Sequence, residues 1–108
     1  MAYDEGLAQR VREILDRPDV REKKMFGGLC FLVGGNMAAG IVGDELMIRV
    51  GPDGYASALA HPHAREMDFT GRVMKNMVYV SAQGVQADDD LADWLGRGAG
   101  FAGSLPPK

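Results

Sequence analysis

The sequence is short of the residues that would staple, anchor or charge it. It contains one cysteine, Cys30, so no internal disulfide can form and the chain suits a reducing cytoplasm. Cys30 sits inside an apolar run and reads as a small buried thiol, not a reactive one. No apolar run reaches the roughly 18 residues of a membrane span. The amino-terminal stretch MAYDEGLAQRVREIL is charged and amphipathic, without the apolar core of a signal peptide. A soluble cytoplasmic protein is expected. Positive charge is not in excess either: 12 Lys and Arg against 15 Asp and Glu give a net charge of −3. That balance argues against a surface that tracks nucleic-acid phosphates and leaves room only for a local basic patch. The two histidines, His61 and His63, flank Pro62. Two ligands make no metal site, and the nearest other donors, Glu66 and Asp68, have no recognised ligand spacing. A solvated loop is expected there.

Glycine is plentiful, and it organises the chain. Residues Lys23 to Val50 read as four short strands separated by glycine-centred turns. Lys23–Phe26 ends at Gly27-Gly28, and Leu29–Val33 ends at Gly34-Gly35-Asn36, a hairpin signal because glycine and asparagine accept positive φ cheaply. Met37–Val42 ends at Gly43-Asp44, and Glu45–Val50 alternates strictly, with Leu46, Ile48 and Val50 on one side. Such short connections join only antiparallel neighbours. A helix over the Leu29 run is disfavoured by the glycine pairs at both its ends, each mid-helix glycine costing about 1 kcal/mol against alanine. Parity places Cys30, Leu32, Ala38, Gly40, Met47 and Arg49 on the opposite face. That face is small and apolar, so cover by a partner subunit, the C-terminal segment or a ligand is expected.

The remaining segments read as cover for this sheet. Tyr3–Asp16 has helical spacing of Tyr3, Leu7, Val11, Ile14 and Leu15, with Asp4 and Glu5 complementing the dipole at its start and Pro18 ending it. Arg17–Glu22 reads as a connection and Gly51-Pro52-Asp53-Gly54 as a turn. A short helix is expected over Tyr55–Ala60, an extended piece over Glu66–Phe69, a turn at Thr70-Gly71 and a strand over Arg72–Val80. On a regular strand Arg72 and Lys75 point to different sides, so a single basic stripe needs a bulge. Ser81–Ala87 reads as a loop. Asp88 is placed to cap a last helix whose apolar stripe is Leu91, Trp94 and Leu95. The acidic triplet Asp88-Asp89-Asp90 is explained by that helix start, without a metal. Four glycines weaken the helix beyond about Arg97, and Ser104–Lys108 is expected to be a disordered tail. One domain, 1–108, in a two-layer α+β fold follows: an antiparallel sheet covered on one face by N- and C-terminal helices.

The order KKMFGG, LCFLVGGNMAAGIVGDELMIRV, GRVMKNMVYV and DDDLADWL resembles the N-terminal domain of the TfoX/Sxy family over nearly the whole chain. The matching residues are Lys24, Met25, Phe26, Gly27 and Gly28, then Gly71, Arg72, Met74 and Tyr79, then Trp94. The resemblance implies the same two-layer α+β domain and kinship with regulators of natural competence, whose full-length forms carry a second, helical C-terminal domain. A stand-alone N-terminal domain, without that second domain, is the expectation. Ala82 stands where the family often has proline. Some members are labelled RNA methyltransferases, but no glycine-rich strand-to-helix turn with a downstream acidic residue is present to hold such a cofactor.

No catalytic, cofactor-binding or metal-binding residues are assigned, and no cofactor is expected. There is no Ser-His-Asp pattern, metal spacing or Walker-type loop. An anion nest at Gly27-Gly28, assisted by Lys24 or Arg72, lacks a nucleophile or base beside it. The expectation is a non-enzymatic regulatory domain with a protein partner, self-associating as a homodimer. Its candidate interaction surface is Lys24, Phe26, Gly27, Gly28, Arg49, Arg72 and Lys75. The alternative is a nucleic-acid accessory in which Lys23, Lys24, Arg49, Arg72 and Lys75 converge, with Phe26 or Tyr79 for stacking.

Overall fold

The computed structural model describes residues 3–25, 27–69 and 72–107. Its centre is one six-stranded antiparallel sheet in the order β1-β2-β3-β4-β6-β5. The strands are β1 (Val20–Met25), β2 (Gly28–Val33), β3 (Asn36–Val42), β4 (Glu45–Arg49), β5 (Ala64–Phe69) and β6 (Arg72–Val80). Helices α1 (Glu5–Ile14), α2 (Gly51–Leu59) and α3 (Asp88–Gly103) complete the α+β fold. The meander follows from the glycines: Gly34 and Gly35 have φ of 60° and 85° between the paired Val33 and Asn36. Positive φ at both central residues matches the right-handed twist of the strands they join.

One face of the sheet carries the main core. Leu29, Phe31 and Val33 of β2, Ile41 of β3, Leu46 and Ile48 of β4, and Val78 and Val80 of β6 pack there with Leu7 and Val11 of α1 and Leu91, Trp94 and Leu95 of α3. Ala58 of α2 joins the same cluster, so all three helices cover this face. Asp4, not only a dipole partner, caps α1 by accepting from the Leu7 N–H at 3.1 Å.

Several local expectations change. Strand β1 begins at Val20, inside the stretch read as a connection, because it pairs with β2 along its whole length, Val20 opposite Val33 and Lys24 opposite Leu29. Gly51–Gly54 is the first turn of α2, with Pro52 at a position where its missing N–H costs nothing. The last helix does not fade after Arg97 but runs to Gly103. Its N-cap is Ala87 and makes no side-chain cap bond; Asp88 lies inside the first turn and bonds Arg10 instead. Residues after α3 are tied down: Leu105 N–H donates to Ala102 O at 3.2 Å, and the buried Asn36 Nδ2 donates to Pro106 O at 2.9 Å. Ser81–Ala87 includes a single 3-10 turn, Ala82–Val85. The turn expected at Thr70-Gly71 lies outside the described residues.

The parity that placed Ala38 on the opposite face is broken by a bulge in β3. Phe31 pairs with Ala39 and Leu32 with Met37, leaving Ala38 unopposed. The extra residue turns Ala38 to the helix side, where it is fully buried in the main core and not on the opposite face.

Candidate interaction surface

The opposite face is already covered at its centre by the chain itself. Cys30, Met47, Met67 and Met77 form a second buried cluster there, with Met37, Val42 and Tyr79 partly buried around it. Gly40 makes room for it: a Cβ at that position would lie 2.5 Å from the Met47 Cε and 3.2 Å from the Cys30 Sγ. Thioether side chains fill such irregular space well. Burial in this apolar setting pushes the Cys30 thiol up to about 11, because the thiolate would lose its hydration.

The residues expected to form one interaction surface separate in space. Lys24 is exposed on β1, at one edge of the sheet, while Arg49 lies on β4, three strands away. At about 4.8 Å per strand, that alone puts them roughly 14 Å apart. Arg49 is also engaged, its guanidinium 5.3 Å from the ring centroid of Phe101. Lys75 is exposed on β6 within a bulge: Glu66 pairs with Val78 but Met67 with Met74, so residues 75 to 77 have no partner on β5. Arg72 is on β6, paired with Phe69, but its side chain lies outside the described residues, as does Phe26. Gly27 has a φ of 72°, and a Cβ at Gly28 would lie 2.0 Å from Ile41 O. Both glycines are therefore required by the β1–β2 turn and by the approach of β2 to β3.

The loop expected to be solvated at His61-Pro62-His63 is exposed at all three residues, although His61 also makes side-chain contacts. The His61 ring meets Trp94 edge-on at 4.9 Å, and its Nε2 lies 3.1 Å from Arg97 Nη2. Among the described residues no three His, Cys, Asp or Glu side chains gather as a metal site.

A groove beside β1 escaped the sequence reading. It holds about 420 Å³ between the end of α1 and the first strand, floored by Leu15, Val20 and Phe31 and rimmed by Arg12, Arg17 and Arg21. Two rim arginines are paired within the chain. Arg12 donates to both carboxylate oxygens of Glu22, at 2.8 and 3.0 Å, and Arg17 to Asp19 at 2.8 and 3.1 Å. Hydrogen bonding to Glu22 raises the Arg12 guanidinium pKa further above its ordinary value. Among the described residues Arg21 bonds a carbonyl, Pro18 O at 3.2 Å, a contact that leaves its charge uncompensated. The signal that could have found this groove is the pairing demand of β2, whose apolar residues need a neighbour on each side.

An antiparallel sheet with all its helices on one face defines a two-layer α+β domain with two edge strands, β1 and β5, and a charged groove beside β1. The family model of the TfoX N-terminal domain matches residues 13–102, and the chain belongs to that family. No curated protein and no solved structure matches it. No helix among the described residues is long and apolar enough to cross a membrane.

Proposed function

We propose that this chain is a non-enzymatic regulatory domain that acts by binding another protein, in keeping with the kinship of its family to competence regulators. The observation that carries the reading is the edge of β1, six residues of strand with, among the described residues, a neighbour on one side only. Strand edges present unpaired backbone donors and acceptors, one recurring means by which a sheet domain recruits an extended segment. The separation of Lys24 from Arg49, together with the net charge of −3, counts against the nucleic-acid alternative. The central cluster of the second face is buried within a single chain, so burying it does not require a homodimer.

The test is affinity capture from the native cell extract with and without nuclease, alongside light scattering of the purified chain. A protein partner retained after nuclease treatment supports the reading. Loss of every partner with nuclease would replace it with the nucleic-acid one, and a concentration-dependent doubling of mass would make the partner a second copy.

A further inference from the structure

The edge of β1 has a chemistry that narrows what it can pair with. Arg21 and Lys23 lie opposite Leu32 and Cys30, so both start from the sheet face away from the helices; at the strand edge the Arg21 side chain also reaches Pro18 O and the rim of the groove. Both are exposed. Glu22 points to the helix side, where Arg12 occupies both of its oxygens. Lys24, on that same side, is exposed. A chain of net charge −3 thus presents a locally basic edge. Alongside it, on the helix side, runs the groove floored by Leu15, Val20 and Phe31.

A second copy is a poor occupant. A two-fold copy would pair antiparallel with its faces matched, and the central registers then oppose Arg21 to Lys23, or Lys23 to Lys23. Like charges directly opposite one another repel. Among the described residues the large apolar side chains offer little else to dock on, Ile14 being the exposed one.

We propose that β1 accepts an added strand from a partner protein in which acidic side chains alternate with apolar ones. The acidic residues pair with Arg21 and Lys23 on one face, and an apolar residue between them enters the groove on the other. Backbone bonding along β1 supplies affinity, and the alternation supplies specificity. This deepens the interaction-domain reading above and rests on it.

The test is a fluorescence-polarisation titration of the full chain with a short labelled peptide alternating glutamate and valine. Two controls accompany it: the same peptide with lysine replacing glutamate, and one N-methylated at alternate amides. The first peptide is expected to bind saturably and the controls to fail, with affinity falling about tenfold on Arg21→Glu/Lys23→Glu. Lys23→Glu alone, at an exposed side chain, is the second variant and is expected to weaken binding by a smaller factor; both variants are checked for fold by circular dichroism. No binding at low salt, equal binding of either control, or unchanged affinity of folded variants overturns the proposal. A partner captured from extract equally by wild type and double variant overturns the edge assignment but leaves the interaction-domain reading standing. Intact peptide binding with no captured partner does the reverse.

Discussion

Gly98 of α3 lies directly on the carbonyl of Ala38: a Cβ at position 98 would be 2.3 Å from that oxygen. Ala38 is the unopposed residue of the β3 bulge, so the bulge and the glycine form one device. The bulge raises the strand backbone toward the helix, and the missing side chain lets α3 settle on it. Trp94, Leu95, Ala99 and Ala102 of α3 can then reach the core together.

Gly98→Ala is therefore expected to destabilise the fold by about 1–2 kcal/mol, because the overpacking cost exceeds the gain in helix propensity. Gly96 and Gly100 have open space where their Cβ atoms would go. Alanine at either is expected to stabilise by up to about 1 kcal/mol. Urea unfolding of the three variants checks this, and an equal gain at all three would refute the close approach.

Arg10 joins α1 to the segment before α3. Its Nη2 donates to Val85 O at 2.7 Å, Gln86 O at 3.1 Å and Asp88 Oδ1 at 3.0 Å. The Asp88 side chain is 87% exposed, and an ion pair that wet contributes little. Arg10→Ala is expected to cost about 2 kcal/mol, since it leaves two backbone carbonyls short of a donor, and Asp88→Ala about 0.5 kcal/mol. Equal losses in a double-mutant cycle would show that the ion pair, not the carbonyl contacts, holds the junction.

These two contacts also show what the sequence can and cannot reveal. The hairpins at Gly34-Gly35 and Gly43 were readable because a tight turn makes a local demand that glycine meets. The first half of strand β1, Val20–Glu22, was not, since an edge strand with charged residues on both faces carries no apolar alternation: Arg21, Glu22, Lys23 and Lys24 are all exposed. The length of α3 was hidden because its glycines answer to a contact with Ala38, sixty positions earlier, and not to helix propensity. The residues of the expected surface lie apart for a related reason. Alternation gives the face a residue points to, but Lys24 and Arg49 are separated by strand order, which no local pattern encodes.

The last residues have a structural task. Asn36 is 3% exposed, and its amide donates to Pro106 O. Deleting residues 105–108 is expected to cost about 1 kcal/mol through the stranded amide. Asn36→Ala in the shortened chain should then cost less than in the full one, since the two changes remove the same bond. Thermal unfolding of the four proteins decides it, and an unchanged stability on truncation would make this contact energetically idle.

Cys30 gives the fold a pH limit on the alkaline side. Its thiol is fully buried and titrates near about 11, whereas in the unfolded chain it ionises near about 8.5. Between those values the unfolded state has released a proton that the folded state keeps. Stability contributed by the thiol is therefore fully present below the lower value and falls as pH rises, by about 1.4 kcal/mol per unit. Cys30→Ala removes this dependence at the expense of some packing against Met47. Urea midpoints compared from about pH 7.5 to about pH 10.5 should show the difference between wild type and Cys30→Ala nearly level up to about pH 8.5 and the wild type losing ground steadily above it. Other groups titrate in both proteins and cancel in the difference. Parallel curves would mean that the thiol ionises as readily inside the methionine cluster as in water, and that the second face of the sheet is wetter than its packing indicates.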